Sequence, residues 1–328
     1  ALNANTTADN NTGLGYAALN QNTTGASNVG VGTQALLSST TANSNTAVGF
    51  QAGLNTTTGS TNVAVGNAAL QANTTGAQNV AIGNAALDAN TTANNNIAIG
   101  DSTLTSNTTG TSNVAVGREA LKNNTTADNN TALGHEALKE NTTGTLNTAV
   151  GRTALKINTT GGSNTAFGSN ALQVATTASN NTAVGTDALI SNTTGAQNTA
   201  VGQQSLLYNT TGAGNTAIGR NSGANVTTGQ NNTLLGDSAG NYSVSLTTGS
   251  QNILIGKDPH TSAVDATYQI VMGYRATGKG NNSGFINPNG GGVYQGNNST
   301  TWSTTSDERL KKNIVDNNEG LSIIDQVR

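Results

Sequence analysis

The sequence predicts an all-β fold, a parallel β-solenoid or β-roll built from 17-residue coils, and three observations support it. The Gly residues that close NTAVG-like segments recur at a constant spacing of seventeen positions from Gly15 to Gly236, without one insertion. Each segment alternates polar and apolar side chains, which is typical of a short strand with one apolar face. A repeat of this length is too short for two helices and a loop but suits one coil of a stack.

The composition by itself would also fit a disordered chain. Of the 328 residues, 51 are Asn, 55 are Thr and 41 are Gly, whereas 9% are charged and 3% are aromatic. Disordered segments of low complexity tolerate insertions, because nothing in them must stay in register. The fixed period is interrupted by a three-residue insertion within residues 241–246 and returns at Gly273. The period therefore indicates that each coil packs on its neighbours.

The repeat reads N-T-A-V-G-x-x-A-L-x-x-N-T-T-G-x-x, and each part of it predicts one part of a coil. We expect the residue before each Gly, such as Val116, to face inward. The Leu of the Ala-Leu pair, such as Leu70, supplies a second buried contact. Gly permits a turn that a side chain would obstruct. The Asn and the Thr-Thr pair recur at fixed positions, so stacking would align them in hydrogen-bonded ladders.

The small apolar content of a coil predicts association between chains. One Val and one Leu per coil offset little of the conformational entropy that is lost when a whole coil becomes ordered. Further chains packed against the Ala-rich face would bury more apolar surface. We therefore expect an obligate homo-oligomer.

Several classes of function are disfavoured by the sequence. The net charge is −3 and there is no basic patch, which argues against a nucleic-acid partner. The sequence contains no run of about 20 apolar residues, so it predicts no helix that spans a membrane. His135 and His260 stand alone and no acid, base or metal-ligand set recurs, so we expect no metal, no cofactor and no enzyme acting on a separate substrate. Asn-Thr-Thr sites such as Asn73 are formal glycosylation acceptors, although the ladder already explains Asn there.

Short motifs in the coils carry a resemblance to known families. NVAVG at 62–66 and 113–117 and NVAIG at 79–83 resemble segments in the heads of trimeric autotransporter adhesins, which are left-handed parallel β-rolls built as trimers. The resemblance covers about residues 1–256. The NTAVG…AL…NTTG arrays also look like those of bacteriophage tail-fibre proteins. Both resemblances imply a homotrimer located outside a cell.

The segment TSDERLKKNI at 305–314 resembles the start of the intramolecular chaperone domain, of the endosialidase or peptidase S74 type, found at the C-termini of phage tail fibres and spikes. The resemblance implies self-cleavage, with Ser306 as the nucleophile, Lys311 as its base and Ser306–Asp307 as the scissile bond. A Ser–Lys pair of this kind requires a neutral Lys, which burial would provide. The alternative is a charged, solvated tail.

These signals predict three regions: a repeat shaft at 1–257, a tip or cap at 258–305 and a truncated chaperone start at 306–328. The middle region could cover the open end of the solenoid, as repeat proteins require. It could also form a tip whose aromatic side chains stack on receptor sugars. The candidate receptor-binding residues are Tyr268, Tyr274, Phe285, Tyr294 and Trp302.

The sequence as a whole favours the distal part of a phage tail fibre, carried on the virion and matured by self-cleavage. Its partners would be two further copies of the chain and a host surface receptor such as a glycan. One alternative is a trimeric bacterial surface adhesin or a secreted filament. A further alternative is an ice-binding solenoid that uses the Thr-Thr ladder.

Overall fold

The structure, a computed structural model, describes residues 1–288, 291–296, 301, 303 and 304. In these residues the chain forms short strands and no helix. The strands are β1 (Thr12–Leu14), β2 (Val29–Val31), β3 (Thr46–Val48), β4 (Val63–Val65), β5 (Val80–Ile82), β6 (Ile97–Ile99), β7 (Val114–Val116), β8 (Thr131–Leu133), β9 (Thr148–Val150), β10 (Thr165–Phe167), β11 (Thr182–Val184), β12 (Thr199–Val201), β13 (Thr216–Ile218), β14 (Thr233–Leu235), β15 (Ile253–Ile255), β16 (Gln269–Met272), β17 (Ser283–Ile286), β18 (Val293–Gln295) and β19 (Ser303–Thr304).

The strands confirm the predicted parallel β-solenoid. Each strand from β1 to β16 pairs in parallel with the next one along the chain, and Ala166 lies opposite Ala183, one repeat later. The last parallel pair, β16 with β17, joins Gln269 to Ser283 and so closes a shorter coil. β18 and β19 then add to the sheet as antiparallel strands. Parallel pairing continues past residue 257, and the shaft boundary placed there stays a prediction.

In most coils the interior is lined by a small side chain from the strand and by one Leu from the opposite wall, whereas β14 and β15 themselves contribute Leu234 and Leu254. In β7 the middle residue Ala115 is fully buried, and Ala120 and Leu121 complete the same layer. Val114 and Val116 lie on the outer side of the strand and are partly exposed. The inward orientation expected for Val116 is therefore wrong. Side chains alternate along a strand, so Val116 lies on the outer face of β7 when Ala115 lies on the inner face. The Ala-rich face expected to receive other chains is the interior itself.

Two backbone features allow the chain to close such narrow coils. The Gly after each strand from β1 to β16 has a positive φ, +129° at Gly117, and a Cβ there would lie 2.6 Å from the carbonyl oxygen of Gly134. The buried Leu121 also has a left-handed backbone, with φ of 50°. For a residue other than Gly this conformation costs on the order of 1 kcal/mol, and burial of the Leu side chain offsets it.

Two columns of buried Asn join the coils, of which the first is continuous from Asn28 to Asn252 and the second is interrupted by residues such as Ser39 and Ala175. Asn113 donates from Nδ2 to Oδ1 of Asn96 at 3.2 Å and to the carbonyl oxygen of Ala127 at 2.8 Å. Asn107, in the second column, donates to Asn90 in the same way at 3.2 Å and is fully buried although it occupies a formal glycosylation site. Buried polar groups are favourable only when they are hydrogen-bonded. The Asn content is thus explained by contacts between successive coils.

The Thr-Thr pair forms a third column. The first Thr of the pair is partly buried, and the hydroxyl of Thr108 donates to the carbonyl oxygen of Thr125 at 3.1 Å. The second Thr, Thr109, is exposed. The pair therefore contributes one hydroxyl to the stack and one to the surface, and the ice-binding alternative stays a prediction.

Candidate binding surfaces

The outer face of the strands carries a continuous strip without charge, called here the outer strip. It consists of the first and last residues of each of the first fifteen strands, together with Ile270 and Met272 of β16. The first position is always Thr, Val or Ile, and the last position is apolar in every strand. The last-position residues are Leu14, Val31, Val48, Val65, Ile82, Ile99, Val116, Leu133, Val150, Phe167, Val184, Val201, Ile218, Leu235, Ile255 and Met272.

The outer strip is long and carries exposed apolar side chains along its whole length. Sixteen strands spaced by about 4.8 Å give a length of roughly 70 Å. Several of its side chains are large and exposed, including Leu133, Phe167 and Ile218. A strip ~7 Å wide then covers about 500 Å² in outline, with an apolar side chain at the last position of every strand in it and Thr at the first position of nine strands. A surface of this kind is suited to contact with another protein.

A second surface feature is a zigzag of ion pairs, called here the ion-pair ladder. Lys139 lies 2.7 Å from Glu119 and 2.9 Å from Glu136, and Lys156 lies 2.8 Å from Glu136. Lys122 ends the zigzag at 3.3 Å from Glu119. The Glu136 side chain is 16% exposed. Hydrogen bonds from Lys156 and Lys139 lower the pKa of Glu136 from its ordinary value to about 2.

The ion-pair ladder differs from what neighbouring charges in the sequence suggest. Arg118 with Glu119 and His135 with Glu136 are adjacent in the sequence, and their contacts are the longer ones, at 3.6 and 4.0 Å. The shorter contacts come from lysines that recur once per coil in another column. The recurrence of both Lys and Glu at the coil period was the signal that could have identified them.

Of the five aromatic residues predicted to contact a receptor, the four that lie in the described part of the chain do not form one group. Tyr268 precedes β16 and Tyr274 follows it, so the strand separates these two exposed rings. Phe285 is 5% exposed and belongs to the end of the core, with Tyr294 packed against it. Trp302 lies outside the described residues. The burial of Phe285 fits a covering role for this region, and the receptor-binding assignment stays a prediction.

Tyr274 belongs instead to a group that the sequence did not indicate, called here the tyrosine–arginine cluster. The guanidinium carbon of Arg275 lies 4.9 Å from the ring centroid of Tyr242 and 5.1 Å from that of Tyr274. Asp258 lies 3.6 Å from Arg275 Nε. His260 stacks at a tilt on Tyr242, with the ring centroids 5.8 Å apart. Tyr242 comes from the insertion at 241–246, and the break in the repeat was the available signal.

The predicted self-cleavage residues Ser306, Asp307 and Lys311 lie outside the described residues, so the assignment stays a prediction. Within the described residues, no group of three or more His, Cys, Asp or Glu is placed to hold a metal ion. The same part of the chain contains no helix long and apolar enough to cross a membrane.

Comparison with protein-family models, curated proteins and solved structures found no match to this chain. The β-solenoid and the surfaces described above are therefore the basis for a function.

Proposed function

We propose that the chain is a structural subunit of a homotrimeric extracellular fibre, without catalytic action on a separate substrate. The observation that carries this proposal is the uncharged outer strip, which follows the strands from β1 to β16. The row of apolar last-position residues in this strip gains most when it is covered along its whole length. A stiff rod that associates side by side is suited to mechanical and adhesive work.

The best occupant of the outer strip is a second copy of the same chain. Coils repeat at a fixed spacing, so a partner matches every strand only if its own surface repeats at that spacing. Another copy of the chain has the same repeat spacing, because its sequence is identical. Closed symmetric assemblies are also the common form of protein oligomer. The absence of charge from the strip removes the repulsion that identical charged surfaces would meet. Three-fold symmetry is supported by the resemblance to adhesin heads and phage fibres.

The most specific form of this proposal is the distal part of a phage tail fibre, located on the virion and directed at a host surface. Its support is the resemblance of residues 305–314 to a chaperone start, which also implies maturation by cleavage at Ser306–Asp307. Intact-mass measurement of Ser306→Ala beside the unchanged protein, both expressed from the full-length gene, tests the cleavage. The alternative of a bacterial adhesin or secreted filament uses the same strip.

Two adjacent substitutions test the fibre proposal. Val116→Asp places a charge on the outer strip and leaves the interior intact, so we expect a folded monomer in place of a trimer. Ala115→Asp places an unpaired charge in the interior, and we expect it to lower the melting temperature strongly. Light scattering gives the mass, and circular dichroism gives the fold. A Val116→Asp chain that keeps the wild-type mass would contradict the proposal, as would a wild-type chain that is monomeric.

A further inference from the structure

The arginine of the tyrosine–arginine cluster is held in place by its neighbours. The two tyrosine rings lie within 5.1 Å of its guanidinium carbon, a distance at which a cation is attracted to a ring face. Asp258, whose side chain is only 10% exposed, lies beside Nε. Such contacts reduce the rotamer entropy that a flexible Arg would lose when it binds a ligand. The Arg275 side chain nevertheless remains 51% exposed.

The outer edge of Arg275 is available for a ligand, in contrast to Arg220 at a neighbouring position of the repeat. Arg220 donates to both oxygens of Asp237, from Nε and Nη2, each at 3.1 Å. The Asp258 contact of Arg275 is longer, at 3.6 Å, and involves Nε. Among the described residues, none accepts a hydrogen bond from Nη1 or Nη2 of Arg275. These two nitrogens form the planar fork that matches a carboxylate.

We propose that the tyrosine–arginine cluster binds a carboxylated sugar of the hexuronic acid class. The carboxylate would accept hydrogen bonds from the Arg275 fork. In a hexuronic acid the equatorial carboxylate extends outward from the edge of the pyranose ring, so the sugar ring could lie along the exposed ring of Tyr274. Apolar faces of sugars and aromatic rings pack well, and Tyr offers a hydroxyl in addition. Lys257, which precedes Asp258, adds positive charge to this end of the rod.

This inference deepens the proposed function by naming a ligand class for the surface that a fibre would present, and it rests on that function only for the source of the glycan. The contacts among Tyr242, Asp258, Tyr274 and Arg275 all lie within one chain. Sugar binding and trimer formation can therefore fail separately.

Calorimetric titration of the purified chain with trigalacturonate, at low ionic strength, tests the proposal, with neutral galactotriose as the matched control. We expect saturable binding of trigalacturonate and a loss of affinity of about tenfold or more in Arg275→Gln, because a charge-assisted bidentate contact is removed. Arg275→Lys keeps the charge without the fork and should also bind more weakly. Arg220→Gln should bind as the unchanged chain does. Melting curves establish that each variant is folded.

The proposal is overturned if galactotriose binds as well as trigalacturonate, or if Arg275→Gln retains full affinity. Sulfate serves as a competitor, and displacement at concentrations equal to those of trigalacturonate would assign a simple anion site in place of a sugar site. Light scattering on the same samples separates this result from the fibre proposal. A monomer that binds trigalacturonate supports the binding site and contradicts the fibre proposal. A trimer that does not bind trigalacturonate supports the fibre proposal and contradicts the binding site.

Discussion

At the residue scale, the Gly that follows each strand is required by its backbone conformation and by its contact with the next coil. Gly168 has φ of +143°, and a Cβ there would lie 2.5 Å from the carbonyl oxygen of Gly185. We expect Gly168→Ala to destabilise the fold by ~2–3 kcal/mol, since the change combines backbone strain with a clash against main-chain atoms. The melting temperature of the purified chain measures the effect.

Gly162 in the same coil is the control for Gly168. It does not have the positive φ, and a Cβ there would lie 3.1 Å from the carbonyl oxygen of Thr145. Ala occupies the equivalent position in other coils, for instance Ala196. Gly162→Ala should leave the melting temperature nearly unchanged. Equal melting of both variants would show that the close packing of successive Gly residues does not limit the stack.

The residue scale also shows what the sequence could and could not predict. Asn107 and Gly168 recur at fixed positions, and that recurrence was enough to predict ladders and turns. The orientation of Val116 was not predictable from period 2, because alternation defines two faces without saying which is interior. The interior is narrow and already holds Leu121, so the strand contributes the smaller Ala115. Size, rather than hydropathy, decided which side chain faces inward.

At the scale of elements, the ion-pair ladder predicts how stability depends on pH. The pKa of Glu136 is lowered from 4.5 to about 2 by hydrogen bonds from Lys156 and Lys139. A lowered carboxylate pKa stabilises the fold fully above the ordinary value and ceases to do so as the pH falls through the lowered value. We therefore expect the melting temperature to decrease between about pH 4.5 and pH 2.

Glu136→Gln separates this contribution from that of the other carboxylates. At pH 7 we expect the free energy of unfolding of the variant to be lower by ~1–2 kcal/mol. This figure is smaller than the full pKa shift implies, because solvent screens the ion pairs. Near pH 2 the two chains should melt at nearly the same temperature. Melting curves recorded from pH 7 to pH 2 give the comparison. A difference that stays constant over this range would mean that Glu136 contributes through packing and not through its charge.

Elements that break the repeat were the least predictable. The insertion at 241–246 was visible as an interval of twenty in place of seventeen, but its contact with Arg275 depends on a later coil. β17 follows β16 at a shorter offset, with Ser283 opposite Gln269, so no periodic pattern could place it. Periodicity predicts only what repeats. The tyrosine–arginine cluster lies where the repeat is interrupted, so the repeat could not predict it.

At the scale of the whole molecule, the register of the solenoid makes stability depend on whole coils. Each strand from β2 to β18 contacts the strand before it and the strand after it, as in other repeat proteins whose stability is a sum over repeats and their interfaces. Deletion of residues 186–202 removes one complete repeat and joins Gly185 to Gln203, which restores every column. We expect this chain to fold, to assemble as the unchanged chain does, and to give a rod shorter by ~4.8 Å.

Deletion of residues 186–203 is the matched control, because it removes one residue more. The coil at the junction is then one residue short, so Leu206 and Asn209 cannot reach their columns while Gly185 stays in its own. This chain should melt at a clearly lower temperature or aggregate. Circular dichroism, light scattering and small-angle scattering compare the two chains. If both deletions were tolerated equally, local loops would have to accommodate the missing residue, and the shared register would not determine stability. The outer strip would then not need to match a partner strand by strand.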